Sequence, residues 1–297
     1  MKIGTDQYNT FDTMTMDCWN DRVYYEGKEF PAGHFAAGIL NFAGVIHDPL
    51  LERITVLTAL VDDLSTAEKN KRHDIAAQLK PLLHDTVSWL YTCPPFCYCE
   101  SQSAYENLEL ALSEERLDRD YEEEEAHLPY LALSFCEPIL RILVAIYNFC
   151  LLIRTFEMKY LRRSKQRNAD AFAKAAHECF DEDDSFLILL EQMPFGEVEE
   201  FFSYPRVITG FKYFQDENNE EKWKTAQRVI CKRAIDFYVF DLMNGLHHGH
   251  APSQCQGCGR YFLTTNGHIP KYCDGVAPQD SRYTCRQYGA MMHQKEQ

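Results

Sequence analysis

Cys255-Gln256-Gly257-Cys258, followed by Cys273 and Cys285, spells the spacing C-x2-C-x14-C-x11-C. Two cysteines two residues apart can both point inward from one tight turn, and four thiolates make up the tetrahedral donor set of a structural zinc site. Gly259 comes directly after the pair and suits such a turn, because glycine accepts a positive φ that strains other residues. The pattern predicts one structural Zn²⁺ held by Cys255, Cys258, Cys273 and Cys285. The gap before Cys285 is longer than the second C-x2-C of a zinc ribbon, so His268, Asp274 and Asp280 are alternatives for one of the four positions. Tyr261, Phe262 and Tyr272 flank the ligands and can supply the small apolar core that so short a segment needs.

This stretch divides the chain. Residues 251–297 are expected to be a small zinc-finger module, and residues 1–250 a multi-helix domain, giving a mainly α protein. In the larger part, Gly33 to Ile46 is apolar. Leu50, Ile54, Leu57, Val61 and Leu64 then recur at helical spacing after Asp48-Pro49. Further helices are expected at 67–79, 81–90, 169–180 and 186–192. Pro138 to Ile153 is the most apolar run, interrupted by Arg141 and Asn148. It reads as a buried central helix rather than a membrane span. Lys222 to Leu246 reads as one long helix with Ile230, Ala234, Phe237, Phe240 and Leu242 inward. Strand signals are confined to a short strand and turn around Val23-Tyr24-Tyr25 and an aromatic loop or strand at 203–214.

Charge is unevenly placed. The net charge is −15, yet residues 251–297 hold five Lys/Arg against three Asp/Glu, a balance of +2 that leaves −17 for the rest. Such an acidic body is poorly suited to non-specific DNA binding, so any nucleic-acid contact is expected in the tail, through Arg260, Lys271, Arg282 and Arg286. Glu114, Glu115, Asp118, Asp120 and Glu122 to Glu125 form an acidic run. Arg154, Lys159, Arg162, Arg163, Lys165 and Arg167 form a basic one, and the two are expected to pair. The twelve cysteines, with no apolar leader behind Met1, read as reduced thiols of a cytoplasmic protein.

Other candidate chemistry is weaker. Cys93-Pro94-Pro95-Phe96-Cys97-Tyr98-Cys99 places three thiols in seven residues but offers no fourth ligand, so a reduced loop is the preferred reading. His247, His248 and His250 read as a Gly/His linker. His47-Asp48, His73-Asp74 and His84-Asp85, with His34 upstream, could hold divalent metals as in an HD-type phosphohydrolase, though exposed His-Asp neighbours are common. The phosphate-loop, dinucleotide, metalloprotease and serine-hydrolase motifs are absent from the sequence, and a catalytic role is not favoured.

Cys255-Gln-Gly-Cys258-Gly-Arg-Tyr-Phe, Lys271-Tyr-Cys273 and Tyr283-Thr-Cys285-Arg-Gln-Tyr-Gly-Ala resemble the C-terminal zinc segment of an uncharacterised bacterial family known only as a domain of unknown function. The segment is also similar to the CGNR-type zinc finger, although Arg286-Gln287-Tyr288 stands where that type has Gly-Asn-Arg. The resemblance implies a bacterial, DNA- or RNA-binding module behind a helical domain. A zinc-stabilised protein-interaction module is the alternative.

Overall fold

The computed structural model describes residues 13–44, 47–117, 130–184, 186, 188, 206–216, 219–265, 267 and 270–295. It opens with an antiparallel meander, β1 (Met14–Trp19), β2 (Arg22–Tyr25) and β3 (Lys28–Pro31). Among the described residues seven α-helices follow: α1 (His34–Gly44), α2 (His47–Thr66), α3 (Lys69–Leu90), α4 (Gln102–Ala111), the single turn α5 (Glu114–Leu117), α6 (Tyr130–Lys159) and α7 (Ala169–Phe180). Then come β4 (Val207–Asp216), β5 (Asn219–Cys231), α8 (Ala234–His247), the hairpin β6 (Ala251–Gln254) and β7 (Tyr261–Thr264), the pair β8 (Val276–Ala277) and β9 (Asp280–Thr284), and α9 (Cys285–Lys295).

The expectation of a mainly α chain is overturned. A five-stranded antiparallel sheet runs β3-β2-β1-β5-β4, joined by the two-stranded sheets β6-β7 and β8-β9, so the fold is mixed α and β. The error lies mostly at Lys222 to Leu246. Its first half is β5, with Met16 opposite Val229 and Met14 opposite Cys231, all buried. Helical spacing is genuine only from Ala234 onward, where α8 buries Phe237, Tyr238 and Leu242. Val229 and Cys231 alternate at period two, but the apolar positions of α8 extend a 3.6 period backward over them and conceal the change. The strand at Val23-Tyr24-Tyr25 is present as β2.

Pro81 does not divide α3 into two helices. The residue lies on the exposed side, and Ala76, Leu79, Leu83, Val87 and Leu90 bury the opposite one. The apolar contacts outweigh the one backbone hydrogen bond that proline forfeits. The segment 186–192 falls largely outside the described residues.

α6 is the central helix: Ile139, Leu143, Ile146, Phe149, Cys150, Leu152, Ile153 and Phe156 are fully buried. By length and composition it could cross a membrane, yet 67% of its most apolar stretch lies inside the protein. The acidic run expected to pair with the basic run that extends α6 lies, apart from Glu114 and Glu115, outside the described residues. Arg154 donates to Leu40 O at 3.2 Å, Arg162 pairs with Glu157 at 3.1 Å, and buried Arg167 donates to Pro252 O and Thr264 Oγ1. These cations fasten neighbouring elements to the end of α6.

α1 is gripped at its start by α8. Asp241, fully buried, accepts the N–H groups of Gly33 and Ala36 at 2.9 Å each, satisfying donors that a helix start leaves unpaired. Burial lifts its carboxyl to about 6 against the pull of those donors. The two helices approach closely: a Cβ on Gly245 would stand 2.8 Å from the Gly33 Cα, and Gly33 itself has φ +87°. Asp241→Ala strands two buried N–H groups, so equilibrium denaturation should show a loss of about 2 to 4 kcal/mol.

On the sheet, Asp17 of β1 holds Arg228 at 2.7 Å and Lys212 at 3.0 Å. Burial works to raise the Asp17 carboxyl, but the Arg228 and Lys212 cations overcome it and hold the group below its usual 3.8. A depressed folded-state value means that the stabilisation is present above pH 3.8 and is lost as pH falls through the folded value. Both cations are partly exposed, which limits the gain. Asp17→Asn should therefore cost on the order of 1 kcal/mol at neutral pH, and the difference from the parent should vanish on acidification.

Candidate metal centre

The four cysteines meet although they come from three separate stretches of chain. Cys255 follows β6 directly, and the hairpin register sets Gln254 opposite Tyr261. Gly259, at φ +72°, returns its N–H to Cys255 O at 2.9 Å, and Cys255 N–H reaches Arg260 O at 2.8 Å, closing the turn that carries Cys258. Gln256 N–H donates to Lys271 O and brings in the segment of Cys273. Cys285 opens α9, where the N–H groups of Cys285 and Arg286 donate to Gly275 O and Cys273 O.

The sulfurs lie within 4.8 Å of one another, with Cys258 Sγ and Cys273 Sγ 3.6 Å apart. Four sulfurs bonded to one zinc at about 2.3 Å stand roughly 3.8 Å apart, so the spacing suits a metal ion. It is far from the roughly 2.05 Å of a disulfide, and all twelve cysteines are free. Cys255 Sγ accepts the N–H groups of Gly257 and Cys273 at 3.4 and 3.3 Å. Burial opposes its ionisation, but the backbone donors of Cys273, Cys258 and Gly257 draw it down to about 7. Burial and the neighbouring thiols push Cys273 up to about 11 and raise Cys285 as well. Four thiolates this close need a cation among them, and the donor set fits a soft divalent ion.

The alternatives for a cysteine position stand elsewhere. Asp274 pairs with Arg286 at 3.1 Å and Asp280 with Arg282 at 2.7 Å, while His268 lies outside the described residues. Phe262, Tyr272 and Tyr288 pack around the cluster, whereas Tyr261 joins the main core. Gly289 leaves room for the Tyr272 ring, which a Cβ there would meet at 2.5 Å.

Of the four cations expected to meet nucleic acid, Arg282 and Arg286 have these acidic partners. Arg260 and Lys271 are exposed, and among the described residues neither forms an ion pair. Arg260 also lines a groove of about 890 Å³ between α1, α6 and the cysteine turn, together with Leu40, Phe42, Arg154, Met158 and Tyr261. The Arg154 guanidinium lies 5.8 Å from the Tyr261 ring centre, and its Nε is buried without a hydrogen-bond partner among the described residues. Sequence reasoning registered Arg154 only as one of a basic run. Its place beside the cysteine turn is set by α6.

Among the described residues the remaining candidates do not assemble. His73 and His84 lie eleven residues apart on α3, about 16 Å along its axis, and His84 packs against Tyr105. His34 bonds Tyr98 Oη at 3.0 Å, and the side chains of His47 and Asp48 lie outside the described residues. Cys93 donates to Trp89 O, Cys99 contacts Tyr25 Oη, and among the described residues neither belongs to a metal-ligating cluster. His250 is buried against Ala32 O at 3.0 Å, a structural contact rather than a ligand position.

Residues 203–297 match DUF6076, a family of unknown function. The matched stretch takes in β4, β5 and α8 as well as the four cysteines. No curated protein and no solved structure matches the chain.

Cys258→Ser should release the metal and expose the amides of residues 270–295 to hydrogen exchange. The β6-β7 hairpin should stay protected, because Asn41 holds both the N–H and the C=O of Tyr261. Metal analysis with amide exchange checks both outcomes, and unchanged metal content would remove Cys258 from the site.

Proposed function

We propose that Cys255, Cys258, Cys273 and Cys285 hold one structural zinc ion, and that the metal fixes a cationic surface that binds nucleic acid. A donor set of four cysteines leaves no coordination position open for a substrate, which favours a structural over a catalytic metal. Structural zinc contributes on the order of 10 to 16 kcal/mol in small finger peptides, enough to order residues 270–295. Twelve free thiols agree with a reducing compartment such as the cytoplasm.

The observation that carries the binding role is the groove beside the cysteine turn. Arg154 and Arg260 line it in a chain of net charge −15, with Tyr261 beside them. Arg260, Lys271 and Arg154 are the residues assigned to phosphates, with Tyr288 for stacking, since Tyr261 is buried in the main core. Arg282 and Arg286 are secondary, because binding would first have to draw them from Asp280 and Asp274.

The test is binding of the zinc-loaded chain to random-sequence duplex and single-stranded DNA over a range of salt. Affinity should fall steeply as salt rises, and Arg260→Ala should lower the slope of log K against log salt by about one. Arg282→Ala should change it less. A zinc-loaded protein without salt-sensitive binding would leave the protein-interaction reading in its place.

A further inference from the structure

β4 is the edge of the five-stranded sheet among the described residues, ten residues long. Edge strands of monomers are usually blunted by charge, proline or a bulge, since their free N–H and C=O groups accept another strand. Little of that protection is present among the described residues. Lys212 is the charged residue in mid-strand, and its Nζ is turned onto Asp17 at 3.0 Å. The register irregularity lies at the far end, between Gln215 and Asp216.

The edge is also unusually apolar. Ile208 is 53% exposed, Phe211 72% and Tyr213 67%, and Trp223 of β5 is 66% exposed. Phe211, Tyr213 and Trp223 share one face: Phe211 stands opposite Gln227, Tyr213 opposite Thr225, and Gln215 opposite Trp223. Nearer the helices the same face buries Val229, Met16 and Met14. The apolar side of the sheet thus runs on past the body that covers it. Such a continuation marks an interaction surface.

We propose that β4 pairs antiparallel with β4 of a second copy of this chain, joining two five-stranded sheets into one across a two-fold axis beside Phe211. Antiparallel strands pair residues whose backbone groups point the same way, so the axis must pass beside a residue rather than between two. Centring it on Lys212 would set two lysines directly opposite each other. Centring it on Gly210 would pair two glycines, leaving no side-chain contact across the axis. Centring it on Phe211 sets ring against ring, Tyr213 against Thr209, and Lys212 against Gly210, where a Cβ would have nothing within 4 Å. Aromatic–aromatic and aromatic–β-branched pairs are the favourable cross-strand contacts, and the strand is self-complementary in this register. The dimer carries a row of rings, Trp223, Tyr213 and Phe211 from each copy, across the joined face. This pairing stands apart from the metal and the nucleic-acid reading.

Sedimentation equilibrium of the full zinc-loaded chain should give twice 34.6 kDa at micromolar concentration. Phe211→Lys places two cations opposite each other at the axis and should weaken the dimer at least about tenfold. Phe211 is mostly exposed, so the variant should keep its fold, which circular dichroism verifies. In a Cys97→Ser background, Phe211→Cys should oxidise to a disulfide joining the two copies, because directly opposed Cα atoms stand about 4.5 to 5.5 Å apart, within disulfide reach. A 211–211 linked peptide in the mass spectrum confirms the register. A monomeric parent, a dimer indifferent to Phe211→Lys, or the absence of that peptide overturns the proposal.

Discussion

Asp241 reaches from α8 to the first turn of α1 and takes two backbone N–H groups there, from residues more than 200 positions earlier in the chain. A buried carboxylate is costly unless it is fully hydrogen-bonded, and a helix start is costly unless its donors are met. Each meets the other's requirement, and the contact of Gly33 with Gly245 lets the two backbones come close enough to do so. Around this joint α1 becomes the shared support of the molecule. Its later residues meet α6 through Leu40 and Arg154, and meet the β6-β7 hairpin through Asn41 and Tyr261.

That support changes the physical character of the cysteine cluster. A free-standing finger depends on its metal for nearly all its order, because it has no core of its own. Here two of the four ligands, Cys255 and Cys258, sit at the end of a hairpin already fixed by Asn41, Arg167 and the main core. Cys273 and Cys285 carry the segment that the metal must hold, and their small core is a separate cluster. With the proposed ion, the site is half prepared by the fold and half left for the metal to assemble. Preparing half of it lowers the entropy lost when the ion binds.

Charge is distributed with the same division. After α6, Arg162 and Arg167 are used locally, on Glu157, Pro252 O and Thr264, and Arg286 and Arg282 near Cys285 are used on Asp274 and Asp280. Among the described residues, Arg260, Lys271 and the orphaned Nε of Arg154 stand uncommitted near the cysteine cluster. Exposed ion pairs such as Arg282 with Asp280 contribute little to stability. Their consequence is to reduce the field that the C-terminal segment presents.

The cysteine set, the turn at Gly259, the burial of α6 and the helical spacing of α2 were legible in the residues alone, because each rests on local spacing that the backbone geometry reads directly. The meander strand at Val23-Tyr24-Tyr25 was legible for the same reason. Tertiary structure alone decided that residues 219–231 are a strand, since β5 exists only by pairing with β1 and β4, both distant in kind from its helical-looking surroundings. It alone kept Pro81 within a helix, where packing on one face outweighed a local break. It also decided the fate of the charges: Arg154 and Arg167 look alike in the sequence, yet one lines a groove and the other is buried under the hairpin. Spacing along a chain specifies which residues share a face, but which face meets which is fixed only when the whole core closes.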